Sequence, residues 1–295
     1  MTDAQTLTAQ LGGKWYRSYG VAPCPVCQPD RKRDQHALTL HNGASGLLAH
    51  CKKAGCAFRD IMAAAGVTQD GYKAPSYVTS AQRWAEQAEQ RAEVQKRAAL
   101  AQSLWREALP IKLTVAEAYL RGRAITCPLP ETLRFAPSCW HATGRRYPAL
   151  VALVEGAEGF AVHRTYLRPD GAGKADVKPP KAMLGTVAGG AVRLTDGPGP
   201  LMVAEGIETA LSLASGLLDA PAAIWAALST SGIRGLHLPP LPGRLTIAAD
   251  GDNAGRSAAH ALGERAHALG WQVSLLPAPD GKDWNDVLTG KAVAE

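Results

Sequence analysis

Two sets of residues in this sequence could do chemistry. The first is a set of acids. Asp250 and Asp252 stand one residue apart in "IAADGDNAGR", Glu205 ends the apolar run "PLMVAEG", and Asp283 sits in "GKDWNDVL". A buried unpaired carboxylate is costly, so several together need basic neighbours or a cation. Oxygen ligands with no cysteine nearby favour magnesium or manganese over zinc. Such ions polarise phosphates and activate an attacking oxygen, the chemistry of phosphoryl and nucleotidyl transfer. An Asx cap on the following helix would account for one acid of the Asp250–Asp252 pair. It would not account for Glu205 and Asp283 as well.

The second set is four cysteines: Cys24 and Cys27 in "CPVC", Cys51 and Cys56 in "HCKKAGC". Cys127 and Cys139 lie far along the chain and join no cluster. Two thiol pairs at this separation match the knuckles of a structural zinc ribbon. So short and glycine-rich a segment has little core without a metal. Two disulfides, or four inert thiols, are the alternatives. In the second knuckle His50 could stand in for Cys51, although Cys51 is the preferred ligand.

These residues need elements to position them. "HALTLHNGASGLLAHC" alternates apolar and polar residues around Asn-Gly, the pattern of a hairpin that returns the second knuckle to the first. "FRDIMAAAGV" reads as a short helix and "TQDGYKAPSYVTS" as a linker. Residues 80 to 108 hold no Gly or Pro and are dense in Ala, Glu, Gln and Arg, so a long helix with wide polar faces is expected, a solvated connector. "TVAEAYLRGRAI" predicts a second short helix, and "YPALVALVEGAEGFAVHRTYLRPDG" a β-hairpin.

Over the last hundred residues, apolar runs ("PLMVAEG", "AAIWAALS", "GRLTIAADGD", "WQVSLLPAP") alternate with helical spacing ("IETALSLASGLL", "AGRSAAHALGERAHALG", "DWNDVLTG"). That alternation predicts a parallel sheet with crossover helices, whose sites lie at the carboxyl ends of the strands. Glu205, Asp250, Asp252 and Asp283 all fall at such ends.

Composition suits a soluble globular protein of two or three domains: 46% hydrophobic and 20% charged residues in 295. No run is long and apolar enough to span a membrane, and the N-terminus lacks a signal-peptide pattern, so the cytoplasm is the expected location. The net charge of +6 favours a polyanionic partner. It is concentrated in two places. Residues 14 to 60 carry eight Lys or Arg (Lys14, Arg17, Arg31, Lys32, Arg33, Lys52, Lys53, Arg59) against Asp30, Asp34 and Asp60. Residues 159 to 193 carry Arg164, Arg168, Lys174, Lys178, Lys181 and Arg193 against Asp170 and Asp176. The prolines of "KPPK" stiffen the second region around Lys178 and Lys181. It reads either as a cradle for triphosphate or template backbone, or as a solvated loop.

"AEGIETALS" followed by "ADGDNAGR" resembles the Toprim domain shared by DnaG-type primases, topoisomerases and some nucleases. "GKDWNDVL" is similar to the corresponding segment of phage and plasmid primases, and "CPVC…HCKKAGC" to their zinc-binding domain. "KPPKAMLG" is loosely similar to their nucleotide-contacting segment. The order of these motifs resembles a small mobile-element DNA primase.

The resemblance implies a zinc ribbon over 1–70, a helical linker over 71–110, a basic subdomain of the polymerase core over 111–197 and an α/β Toprim domain over 198–295. It implies Glu205 as catalytic acid or metal ligand, Asp250 and Asp252 as the main magnesium ligands, and Asp283 and Asp286 completing the site. Lys178, Lys181, Arg164, Arg168 and Arg256 would contact nucleotide or nucleic acid. One structural zinc, catalytic magnesium or manganese, a single-stranded DNA template and ribonucleoside triphosphates would be the cofactors and partners. No P-loop sequence is present, so a separate helicase would do any unwinding. Many members of the family have His where this chain has Cys27, which changes the zinc ligand set. A Toprim nuclease would use the same acids on water. A topoisomerase would need a catalytic tyrosine and a strand-passage gate. A non-catalytic nucleic-acid-binding module would not need the acids at all.

Overall fold

The computed structural model describes residues 3–30, 35–43, 46–67 and 80–294. Of the linker read over 68–80 all but Ser80, where a helix begins, lies outside the described residues, as do Arg31, Lys32, Arg33 and Asp34 of the basic count. The chain divides into two compact units, Met1–Glu89 and Gln90–Glu295.

The first unit holds a four-stranded antiparallel sheet in the order β1 (Lys14–Trp15), β2 (Gly20–Ala22), β3 (Leu38–Gly43), β4 (Gly46–Cys51). Alternation in β3 buries Leu38 and Leu40 on one face, where they meet Leu7 and Leu11, Cys51 at the end of β4, and Ile61. Leu7 lies on α1 (Ala4–Gln10) and Ile61 on α2 (Phe58–Ala64). The sequence reading did not foresee α1. It is short, and its start depends on one cap, Asp3, whose side chain accepts from the Thr6 amide at 2.6 Å. The expected hairpin is present, but Gly43 pairs with Gly46, so Asn42-Gly43 belongs to the strand and not to the turn.

In the second unit a five-stranded antiparallel sheet runs in the order β5 (Leu109–Pro110), β6 (Leu133–Trp140), β7 (Arg146–Val154), β8 (Ala161–Tyr166), β9 (Lys181–Leu184). β7 is apolar at consecutive positions because both its faces are covered. Leu150 and Ala152 join a core with Tyr119 and Leu120 of α4 (Val115–Arg121). Ala149 and Val151 join another that includes Ala101 of α3 (Ser80–Glu107). Leu104 and Trp105 pack there too, and the Arg134 guanidinium lies 4.3 Å from the Trp105 ring centroid. The long helix is therefore not a connector throughout: its C-terminal end is docked on this sheet.

The other sheet of this unit has the order β10 (Val192–Thr195), β12 (Ala223–Ala226), β11 (Leu201–Ala204), β13 (Arg244–Ala248), β14 (Gln272–Leu275). β11, β12, β13 and β14 are parallel, as their apolar runs predict. β10 is an added antiparallel edge strand from a stretch that the sequence reading placed in the basic region. Four helices fill the connections: α5 (Ile207–Ser212), continued by a π-helical turn (Leu213–Leu217), then α6 (Thr230–Gly235), α7 (Asn253–Ala268) and α8 (Trp284–Ala294). α7 buries Ala258, Ala259, Leu262 and Ala266 against Val203, Leu245 and Ile247 of the sheet. Ridges of this kind hold the strand ends rigid, and the acids stand on those ends.

Candidate active site

Glu205 is the residue after β11, Asp250 lies two residues after β13, and Asp252 is the N-cap of α7. β11 and β13 are parallel neighbours, so these acids share one sheet edge. Asp283 reaches it by backbone pairing. The Gly251 amide donates to the Lys282 carbonyl at 2.8 Å, and the Gly281 amide donates to the Gly251 carbonyl at 2.9 Å. That approach explains the glycine between the two aspartates: a side chain at Gly251 would run into the Pro279 carbonyl.

The acids repel one another electrostatically. Burial, then the charges of Glu205, Asp283 and Asp252, push the Asp250 carboxyl up to about 7. Burial and Asp252 push Glu205 upward as well. Asp250 Oδ1 is buried and has no hydrogen-bond partner. An orphaned buried oxygen among like charges is the environment a hard cation relieves, so the residues fit magnesium or manganese, with Asp250 and Glu205 as the least solvated ligands.

The sign of the pH effect follows for the metal-free protein. Asp250 ionises near 3.8 in the unfolded chain and near 7 in the fold, so the fold keeps its proton over that window. Stability in EDTA should fall as pH rises through it. Thermal melts between pH 4 and pH 8 read this, and Asp250→Asn should flatten the slope.

Asp252 and Asp283 have structural duties too. Asp252 Oδ1 accepts from the Gly255 amide at 2.6 Å. Asp283 Oδ1 accepts from the Asp286 amide at 2.8 Å, while Asp286 Oδ2 accepts from the Asp283 amide at 3.1 Å, a reciprocal cap on α8. Asp286 is exposed and its carboxylate is turned to that cap.

The basic residues divide. Arg256 donates to the Gly251 carbonyl at 2.9 Å and to Asp280 at 2.8 Å, bracing the turn that carries the aspartates. Arg164 donates to the carbonyls of Trp140 and Met183, tying β6 to β9. Arg168 pairs with Asp170 at 2.7 Å on the surface, and Lys178 is exposed before β9. Lys181 opens β9, and its charge reaches both Asp250 and Glu205. Its ammonium also lies 2.9 Å from Oε2 of Glu208, a buried residue on α5. The sequence reading missed Glu208 and Tyr119; Lys174, counted there only within the basic region, also binds the Glu208 carboxylate. The available signal was a charged residue on the apolar side of "IETALSL".

In the first unit the sulfurs of Cys24, Cys27, Cys51 and Cys56 all lie within 4.8 Å of one another. Among the described residues this is the one such cluster of possible metal ligands; the sheet-edge acids do not form another. Burial opposes ionisation of Cys51, but the amides of Ala54, Cys56 and Lys53 outweigh it and bring this thiol down to about 6. Burial, then the Cys51 sulfur, pushes Cys27 up to about 12. The set suits one zinc ion, which takes thiolates in tetrahedral array. His50 is exposed and outside the set, because alternation along β4 buries Cys51. In the same unit, the exposed rings of Tyr16 and Tyr19 stack at 5.2 Å with Lys14 over Tyr16.

Residues 200–293 match the Toprim domain family, and residues 95–194 match a domain of unknown function (DUF7146). Among solved structures the chain is similar to a DNA primase domain from Pseudomonas aeruginosa, at 22% identity over 66% of this chain and 75% of that one, with a TM-score of 0.41. It is similar to the zinc-binding and RNA polymerase domains of the Aquifex aeolicus primase, at 13% identity over 98% of this chain and 83% of that one, with a TM-score of 0.39. The RNA polymerase domain of Mycobacterium tuberculosis primase DnaG is similar at 18% identity over 68% and 80%, with a TM-score of 0.37. No curated protein matches the chain. Among the described residues no helix is long and apolar enough to cross a membrane.

Proposed function

We propose, from the Toprim domain at residues 200–293, that the chain is a DNA primase of a phage, plasmid or other mobile element. It would join ribonucleoside triphosphates on a single-stranded DNA template. The observation that carries this reading is the meeting of Glu205, Asp250, Asp252 and Asp283 at one sheet edge with Lys181 in electrostatic reach. Magnesium or manganese held there would polarise the α-phosphate and favour the attacking 3'-hydroxyl.

The chain's own residues divide the remaining work. The acids hold the cation and are spaced by Gly251. Lys181 contacts the phosphates of the incoming nucleotide. Arg256 keeps the aspartate turn in place. The domain plan that goes with this reading is the one expected above: zinc ribbon, helical linker, basic subdomain and Toprim. The ribbon would meet template through its exposed tyrosines and lysines, since stacked aromatics beside cations suit unpaired bases. A separate helicase would open the duplex.

The nucleotide dependence of synthesis tests the assignment of Lys181. Losing a hydrogen bond to a charged group costs about 1.5–3 kcal/mol, or roughly ten- to hundredfold in efficiency. Lys181→Ala should show this loss chiefly as a raised KM for nucleotide, with template affinity little changed. Weakened template binding at an unchanged nucleotide KM would move the lysine to the template channel.

A further inference from the structure

We infer that Glu208 is a positioning residue that clamps Lys174 and Lys181 together as a paired cation site for the phosphate tail of a nucleotide. The inference deepens the proposed function and rests on it for the identity of the ligand.

Glu208 is 4% exposed, and both oxygens of its carboxylate have partners. Oε1 receives the Tyr119 hydroxyl at 2.8 Å and lies 3.3 Å from the Lys174 ammonium, while Oε2 receives Lys181 at 2.9 Å. Burial opposes its charge, yet the two lysines hold its carboxyl well below the usual range. One buried carboxylate needs one cation for neutrality. This one has two, and the charge of Arg123 also bears on Lys174. At Glu208 the cations therefore outnumber the carboxylate, while the charge of Lys181 also reaches Glu205 and Asp250 at the metal edge, and both lysines remain about one-third exposed, at 32% and 35%. Each ammonium has three donors and spends one on Glu208, leaving the others for a ligand.

The position of Glu208 gives the surplus its meaning. It lies three residues beyond Glu205, on the same strand-to-helix turn. That turn therefore carries one acid of the metal edge and the clamp of the lysine pair. A polyphosphate is the ligand that suits both, with oxygens for a cation on one side and for ammonium groups on the other. Without Glu208 the two lysines would repel each other, and the preformed geometry would be lost.

The test is calorimetric binding of magnesium-ATP to the full chain, with Glu208→Gln, Lys174→Ala, Lys181→Ala and the Glu208→Gln/Lys181→Ala double variant. Glu208→Gln and Lys174→Ala should each bind about tenfold more weakly, the scale of one charge-assisted contact. The double variant should bind more tightly than the product of the two single losses predicts, because Glu208 acts through Lys181 as well as through Lys174. If Glu208→Gln fails to fold, Lys174→Ala, altered at a partly exposed side chain, carries the test. Unchanged or tighter binding in the folded variants would overturn the clamp, as would full additivity. A wild-type chain that binds no magnesium-ATP overturns it too. Binding and coupling as expected, in a protein that makes no primers, would uphold the clamp and reject the primase reading.

Discussion

Primer synthesis is expected to fall at least about a thousandfold in Asp250→Asn and in Asp252→Asn, the loss that follows when several kcal/mol of charge stabilisation at the reacting phosphate disappears. Both variants should keep the fold. Asn is as good an N-cap as Asp, so α7 retains its start at position 252. At position 250 the substitution removes a buried charge that Glu205, Asp283 and Asp252 all oppose. In EDTA at pH 8 the Asp250→Asn protein should therefore melt a few degrees above wild type, on the usual scale of about 2–4 °C per kcal/mol for this size. Near pH 5 the advantage should vanish, because wild-type Asp250 is then protonated in the fold. Primer assays with circular dichroism melts read both effects. Wild-type activity in the two variants would remove these acids from the reaction.

Loss of zinc should have the second large effect, confined to the first unit. Elemental analysis of protein purified without chelator should find about one zinc per chain, and Cys56→Ser should release it. Structural zinc supplies about 10–16 kcal/mol of folding free energy in zinc-finger peptides, more than so small a core provides alone. Cys24 and Cys51 are part of that core, packed with Leu38, Leu40 and Ile61. Residues 3–67 should then become sensitive to protease, while the second unit keeps its melting transition on the strength of its own cores. Choice of start site should suffer more than bond formation. Zinc that is absent, or unaffected by Cys56→Ser, would refute the ribbon.

The parallel strands and their acids were legible because both obey short-range rules. Apolar runs such as "PLMVAEG" end where the strands end, and the loops after them carry the carboxylates. The cysteine pairs were legible for the same reason, and β4 alternation decides between His50 and Cys51. What was missed depends on distant partners. β10 is a strand because it pairs with β12, across about thirty residues of chain. The C-terminal end of α3 is covered by a sheet that composition does not reveal. Glu208 looks like an ordinary helical glutamate until Tyr119, Lys174 and Lys181 converge on it. Arg164 and Arg256 also hold backbone carbonyls, partners that charge in the sequence does not reveal. Asp252 shows the two levels at once: its cap follows from its position before a helix, and its place beside Glu205 follows from the parallel order of the strands that carry both.

In the proposed function the sheet-edge acids and the lysines beside them join nucleotides on a DNA template. The most direct test incubates the purified full chain with single-stranded DNA, labelled ribonucleoside triphosphates and magnesium, and resolves the products by length. Short labelled oligoribonucleotides, absent with EDTA and absent from Asp252→Asn, are the predicted result. Shortened DNA with no labelled product, or a shift in DNA mobility with no product of either kind, would contradict it.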